Sequence, residues 1–173
     1  MEKTPQPNNQ NLSGQEALEK LQKLIKSESI CLFCTDLLQQ PINTRPMSTQ
    51  KVDSEGNIWF MSSIKSGKND DIVANNSVQL FYSNPSDYEF LSVFGTASIH
   101  TDREKIYEMW TPFAKAWFTD GKDDLDISLI KVVPQSCYYW DTKNNKMLSM
   151  LQMFASIVTG SAPNDGIEGT LSI

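Results

Sequence analysis

The 173-residue chain has one histidine, three cysteines and no long apolar run. The single histidine, His100, leaves few metal sites open, and its place at the end of a predicted strand favours a solvated surface role over catalysis. An odd cysteine count without an apolar signal-peptide segment argues against a disulfide framework. Since a membrane-spanning helix needs about 20 apolar residues, we expect no membrane span and a cytoplasmic location.

Positive charge is also scarce, with 15 Lys and Arg against 21 Asp and Glu and a net charge of -6. We therefore expect no nucleic-acid partner, because non-specific binding to nucleic acid needs a basic surface. A small anionic ligand can still bind where a few basic groups are close together. The sequence has no G-x-G-x-x-G motif, and Ser66-Gly67-Lys68 lacks the earlier glycine of a P-loop.

Length and patterning predict one domain over residues 14–160, between a flexible tail over 1–13 and a C-terminal tail over 161–173. Apolar residues at helical spacing predict a helix near 14–27, and a Met-rich apolar stretch predicts another over 146–158.

Short runs of strand-forming residues predict a mainly β protein with peripheral helices (α+β). We predict strands over 29–36, 43–52, 58–62, 78–83, 89–100, 127–133 and 136–141. Shorter helices are predicted over 66–75, with Ile72 and Val73 inward, and from Arg103 to about Ala116. Because strands and helices do not alternate, a small antiparallel barrel is favoured over a parallel sheet.

Two clusters have simple structural explanations. Cys31 and Cys34 have the spacing of a redox or zinc motif, but in a strand they point to opposite faces, and no second pair follows. We interpret them as small core residues. The acidic run from Asp120 to Asp126 lacks the spacing of an EF-hand loop, so a solvated loop is expected.

The stretch from Ile42 to Lys68 has the best candidates for a ligand site. Arginine and lysine suit a phosphate, and the start of a following helix adds free N–H groups. Arg45 and Lys68 therefore predict a phosphate site, with a surface pair of basic residues as the alternative. The aromatic loop Trp117-Phe118 can cover a planar ring by stacking.

Several segments together resemble one family. They are R-P-M at 45–47, G-N-I-W-F-M-S-S at 56–63, S-G-K at 66–68, L-S-V-F-G-T-A at 91–97, D-R-E-K-I-Y-E-M-W at 102–110, K-A-W-F at 115–118, G-K-D-D at 121–124 and Y-Y-W-D at 138–141. In order and spacing, the chain over about 14–160 resembles the general stress protein branch of the pyridoxamine 5′-phosphate oxidase-like, FMN-binding split-barrel family.

The resemblance implies an antiparallel split β-barrel that forms a homodimer, with FMN, or FAD as the alternative, at the subunit interface. Arg45, Ser66 and Lys68 would meet the phosphate, and Met61 with Ser62 the ribityl chain and phosphate. The strand from Pro46 would run beside the flavin ring. The partner subunit would supply the aromatic loop. The implied cofactor contacts are Arg45, Pro46, Met47, Ser48, Met61, Ser62, Ser66, Lys68, Trp117 and Phe118.

The resemblance also implies a flavin-dependent oxidoreductase acting on an unknown small molecule. A non-catalytic flavin-binding protein for storage, transport or sensing is the alternative, since no side chain stands out as an acid or base. A barrel without cofactor stays open as well, because Gly67 stands where the oxidase has an arginine. The oxidase's basic C-terminal motif is absent, so pyridoxamine 5′-phosphate is not the expected substrate.

Overall fold

The computed structural model describes residues 8–142 and 166–173. The strands are β1 Asn8–Asn9, β2 Leu12–Ser13, β3 Ile30–Thr35, β4 Asn43–Val52, β5 Ile58–Ser63, β6 Ser77–Asn84, β7 Glu89–His100, β8 Ile127–Thr142 and β9 Gly166–Ser172. The helices are α1 Gly14–Ser27, α2 Gly67–Ala74 and α3 Arg103–Met109, with 3-10 helices over Pro112–Ala116 and Gly121–Asp123. None of these described helices is long and apolar enough to cross a membrane.

Six strands close into a barrel. Each neighbour in the order β8-β5-β4-β3-β6-β7 is hydrogen-bonded to the next, and β7 pairs in turn with β8. All six pairings are antiparallel. The predicted fold class is therefore confirmed: the chain is a mainly β, antiparallel split barrel with peripheral helices.

Two apolar clusters hold the elements in place. The larger one fills the barrel and includes the buried face of α1, which confirms the helix predicted over 14–27. The smaller cluster lies between β5, β8, α3 and the first 3-10 helix. Its buried members are Trp59, Ile106, Met109, Ala114, Phe118, Ile127 and Leu129. This second cluster fixes the aromatic segment beside the barrel wall.

Residues 127–142 form one strand rather than the two predicted on either side of Pro134. Proline has no N–H to donate, but here Pro134 pairs with Gly95 at a register shift in β7. A Cβ on Gly95 would lie 2.4 Å from the Val133 carbonyl oxygen. The interior glycine therefore lets the proline-containing strand pass closely.

Both predicted tails contain strands. Residues 166–172 form β9, which pairs with the second half of β8, and β1 and β2 pair with β9 in parallel. The sequence G-I-E-G-T-L-S has two glycines and few strand-forming residues, so its composition does not predict a strand. In the structure Leu171 is nevertheless buried, at 4% exposure. Pairing with β9 covers the edge that the second half of β8 would otherwise leave open. The predicted helix over 146–158 lies outside the described residues.

Two helix predictions are also corrected. Ile72 is buried as predicted, but Val73 is 80% exposed. The helix predicted to Ala116 ends at Met109. Thr111 is extended, as a residue before proline prefers, and Pro112 then starts the 3-10 helix.

Candidate functional site

A cleft of about 360 Å³ lies on the barrel wall between β4, β5, α2 and the first 3-10 helix. Its size is within the range of small-molecule sites, about 300–1,000 Å³. The lining residues are Pro46, Met47, Ser48, Gln50, Met61, Ser62, Ser63, Ser66, Lys68, Thr111, Phe113, Ala114, Trp117 and Phe118. Nine of the ten predicted contact residues are therefore brought together, and Arg45 is the exception.

Strand register gives the cleft two different ends. In the antiparallel pair of β4 and β5, Thr49 lies opposite Phe60. Pro46 is therefore on the side of Ser63 and α2, whereas Gln50 is on the opposite side. The α2 end has hydroxyl groups and one cation. The lining residues at the other end carry no charge.

Lys68 is the single charged side chain among the described lining residues. Its Nζ donates to Ser66 Oγ at 2.8 Å, and within residues 8–142 and 166–173 no carboxylate oxygen lies within 4.0 Å of it. Burial lowers the pKa of Lys68, and the positive charge of Arg45 lowers it further. A half-buried ammonium group without a carboxylate partner is suited to bind an anion.

The start of α2 adds to this end of the cleft. Ser66 is the N-cap residue, and its side chain makes no capping bond to the helix. The first N–H groups of an α-helix have no acceptor within the helix, and they carry a partial positive charge. The hydroxyls, the ammonium and the helix start together fit a phosphate group.

A buried hydrogen-bond network ties α2 to the barrel wall. Asn69 is 3% exposed, and its Nδ2 donates to the Ser63 carbonyl at 3.2 Å and to Ser128 Oγ at 3.0 Å. Ser62 Oγ donates to Asn69 Oδ1 at 3.1 Å. The hydroxyl of Ser62 is therefore committed to this network, and the residue helps to position the helix that carries Lys68.

Arg45 is the one predicted contact residue that is not among the residues lining the cleft. Its Nη1 donates to Thr35 Oγ1 at 3.0 Å, and its Nη2 donates to Asp71 Oδ2 at 3.4 Å. Side chains alternate along β4, so Arg45 lies on the same face as Met47 and on the opposite face from its neighbour Pro46. The ion pair with Asp71 links β4 to α2 instead.

An aromatic wall closes the other side of the cleft. Phe113 and Trp117 are 69% and 66% exposed, and their ring centroids are 5.1 Å apart in an edge-to-face arrangement. Phe118 is buried in the second cluster. All three line a cleft that also contains Lys68 of the same chain. Trp117 and Phe118 therefore share a cleft with Lys68 of their own chain.

The remaining candidates lie elsewhere. Cys31 and Cys34 are free and buried, as predicted for core residues. His100 bonds with Ser98 at 2.9 Å, and burial followed by the charge of Lys131 lowers its pKa. Among the described residues there is no group of three His, Cys, Asp or Glu side chains that could hold a metal ion.

An exposed apolar patch lies next to the cleft on the outside of the barrel. Leu32 is paired across β4 with Pro46 and across β6 with Phe81. Ile30, Leu32 and Phe81 are 56%, 51% and 45% exposed. Because Pro46 belongs to both the patch and the cleft, the two surfaces are continuous.

The closed six-stranded barrel and its lateral cleft define a split-barrel protein. The family model described as pyridoxamine 5′-phosphate oxidase like matches residues 16–164, and the chain belongs to this family. A structure from Jannaschia sp., described as a general stress protein 26, superposes with a TM-score of 0.75 at 22% identity, over 92% of this chain and 100% of that one.

Two further relatives extend the comparison. A Xanthomonas citri protein described as a general stress FMN/FAD binding protein superposes with a TM-score of 0.64 at 23% identity, over 76% of this chain and 92% of that one. Protein bli-3 of Neurospora crassa is 28% identical over 126 residues, which is 68% of this chain. The chain spans 60% of the length of that curated relative.

Proposed function

We propose that the chain binds FMN in the cleft between β4, β5 and α2, with FAD as the alternative flavin. The observation that carries the proposal is Lys68, a half-buried cation at the start of a helix without a carboxylate partner among the described residues. The FMN/FAD binding described for the Xanthomonas citri protein supports it.

In this proposal each side of the cleft has a separate task. Lys68 and the α2 start would hold the flavin phosphate, as charge-assisted donors do. Met47 and Met61 would contact the apolar parts of the cofactor, and the exposed Trp117 would stack on a planar ring. A bound flavin would supply the electron-transfer chemistry, while the protein supplies binding and orientation. The activity would be a flavin-dependent oxidoreduction of general stress protein type on an unknown small molecule.

A non-catalytic flavin-binding protein is the second candidate. One observation favours it: apart from Lys68, no described lining residue is an acid or base at neutral pH. Reduction of the flavin-loaded protein by NADH or NADPH separates the two candidates. Repeated cycles of reduction and reoxidation with an added acceptor support an enzyme, and a flavin that neither nicotinamide reduces supports storage, transport or sensing.

We also propose that the exposed patch of Ile30, Leu32 and Phe81 mediates a homodimer. The patch is continuous with the cleft through Pro46, so a second copy docked there would lie beside the flavin. Leu32→Asp should convert the dimer to a monomer in light scattering after size exclusion. Leu125→Asp is the matched control, because Leu125 is 85% exposed in a loop away from the patch. A monomeric native protein would contradict the proposal.

The flavin site itself is tested by titration of the apo-protein with FMN, followed by flavin fluorescence. Lys68→Ala should raise the Kd about 10- to 100-fold, since a hydrogen bond to a charged group contributes about 1.5–3 kcal/mol. Lys65→Ala is the matched control: Lys65 is 75% exposed and pairs with Asp126. Equal affinities of both variants and the native protein would refute the assignment of Lys68.

A further inference from the structure

Asp71 is the acceptor in a compact network behind the cleft. Its Oδ2 accepts from Thr35 Oγ1 at 2.6 Å, from Asn43 Nδ2 at 3.3 Å and from Arg45 Nη2 at 3.4 Å. The hydrogen bond from Thr35, followed by those from Arg45 and Asn43, lowers the pKa of Asp71. At neutral pH the carboxylate is therefore ionised and compensates the charge of Arg45.

This network is close to the cation of the cleft. Asp71 follows Lys68 by three residues on α2, which is slightly less than one helical turn. On β4, Arg45 immediately precedes Pro46, which lines the cleft. The charge of Arg45 also reaches Lys68, since it contributes to the lowered pKa of that lysine. A guanidinium group thus lies beside the proposed phosphate site but is turned towards a carboxylate.

We propose that Asp71 sets the affinity of the cleft for phosphate-bearing ligands by holding the Arg45 guanidinium away from the phosphate end. This inference rests on the proposed flavin function. With Asp71 ionised, the Arg45–Asp71 pair is neutral and the ligand meets Lys68 alone. Without that carboxylate, Arg45 would be free to turn towards the ligand, and a dianionic phosphate would meet two cations.

The partial exposure of the pair makes such a reorientation feasible. The side chain of Arg45 is 26% exposed and that of Asp71 is 22% exposed. The contact between them is single and long at 3.4 Å, in contrast to the paired short bonds of a bidentate arginine–carboxylate contact. An arginine held in this way can turn towards the cleft once the carboxylate charge is removed.

Asp71→Asn tests the inference, because the amide oxygen can still accept from Thr35 while the negative charge is lost. The variant should bind FMN about tenfold more tightly than the native protein at low salt, since an uncompensated cation faces a dianion. The gain should shrink as ionic strength rises. Riboflavin, which has no phosphate, should bind both proteins with equal affinity.

Asp70→Asn is the matched control, since it removes the same charge from an exposed position one residue earlier on α2. It should change FMN affinity by less than about twofold, because an exposed charge is screened. Repeating Asp71→Asn in an Arg45→Ala background identifies the cause. If Asp71 acts by restraining Arg45, the tenfold gain should fall to about threefold or less.

Three results would overturn the inference: equal affinities of the Asp71 and Asp70 variants, equal gains with and without Arg45, or an equal gain for riboflavin. If FMN binds to no variant, the flavin proposal fails separately. The inference is then decided by inorganic phosphate, followed through the NMR signal of the Arg45 guanidinium. Phosphate should shift that signal more in Asp71→Asn than in the native protein, and equal shifts would refute the role of Asp71.

Discussion

The network around Asn69 allows a stability prediction that needs no ligand. Asn69 contributes three hydrogen bonds between α2, β5 and β8. Its partners Ser62 and Ser128 are 3% and 0% exposed. Asn69→Ala would remove all three bonds and leave buried polar atoms with fewer partners, which costs more than the bonds contribute in the native state.

The size of the effect follows from these contacts. Three buried hydrogen bonds at about 1 kcal/mol each give a loss of about 3 kcal/mol. Ser62 and Ser128 keep one other bond each, to the carbonyls of Ser63 and Ser62, which limits the additional penalty. In a protein of this size, about 3 kcal/mol lowers the Tm by roughly 6–12 °C.

Urea unfolding followed by tryptophan fluorescence measures the change in free energy, and calorimetry measures the Tm. Asn76→Ala is the matched control, because Asn76 is exposed and lies two residues beyond the end of the same helix. We expect the control to stay within about 0.5 kcal/mol of the native protein. If Asn69→Ala is equally mild, the buried network does not hold α2 on the barrel, and the argument for its positioning role is wrong.

Other predictions follow from the glycines, the cysteines and the lowered carboxyl pKa. Gly95→Ala should destabilise the protein by several kcal/mol in urea unfolding, because the added Cβ would lie 2.4 Å from a backbone carbonyl oxygen. Gly67→Ala is the control, since nothing lies within 4 Å of its added Cβ. It should be neutral or stabilise the protein by up to about 1 kcal/mol. Equal effects would contradict the close approach of the two strands. Burial raises the pKa of Cys31 and of Cys137 to about 12, so at pH 8 a thiol reagent should modify them only after unfolding; rapid labelling of the native protein would show that they are accessible. The folded-state pKa of Asp71 lies below its ordinary value of 3.8, so its stabilising contribution is present above pH 3.8 and is lost as the pH falls through the lowered value. The stability difference between native protein and Asp71→Asn should therefore narrow in acid, and a constant difference would count against the charge of Asp71.

The barrel could be predicted from sequence because its strands are short, rich in β-formers and separated by turn residues. Strand β4 begins and ends where the pattern places it, from Asn43 to Val52, and β7 likewise from Glu89 to His100. The strand over 166–172 was missed because its stability comes from pairing with β8, a long-range contact that local composition does not report.

Most of the cleft was predicted through the family resemblance rather than through the residues alone. Composition places Ser66 and Lys68 in a loop before a helix, but only the fold brings them next to Met61 and the aromatic segment around Trp117. The buried role of Asn69 could not be predicted from the sequence, because a polar residue in a short helix is normally exposed. Its burial depends on the packing of α2 against β5 and β8, which no local pattern reveals.

The R-P-M motif does not by itself determine the binding partner of Arg45. The sequence R-P-M fixes the side of β4 on which the arginine lies, through the alternation of the strand. It does not fix the partner, since Asp71 is 26 residues away and approaches only when α2 packs across β3 and β4. The motif alone therefore does not tell whether the arginine meets a ligand or a carboxylate. In our proposal Asp71 decides which partner Arg45 takes in this chain, and for that reason loss of the Asp71 charge should raise the affinity of the cleft only while Arg45 is present.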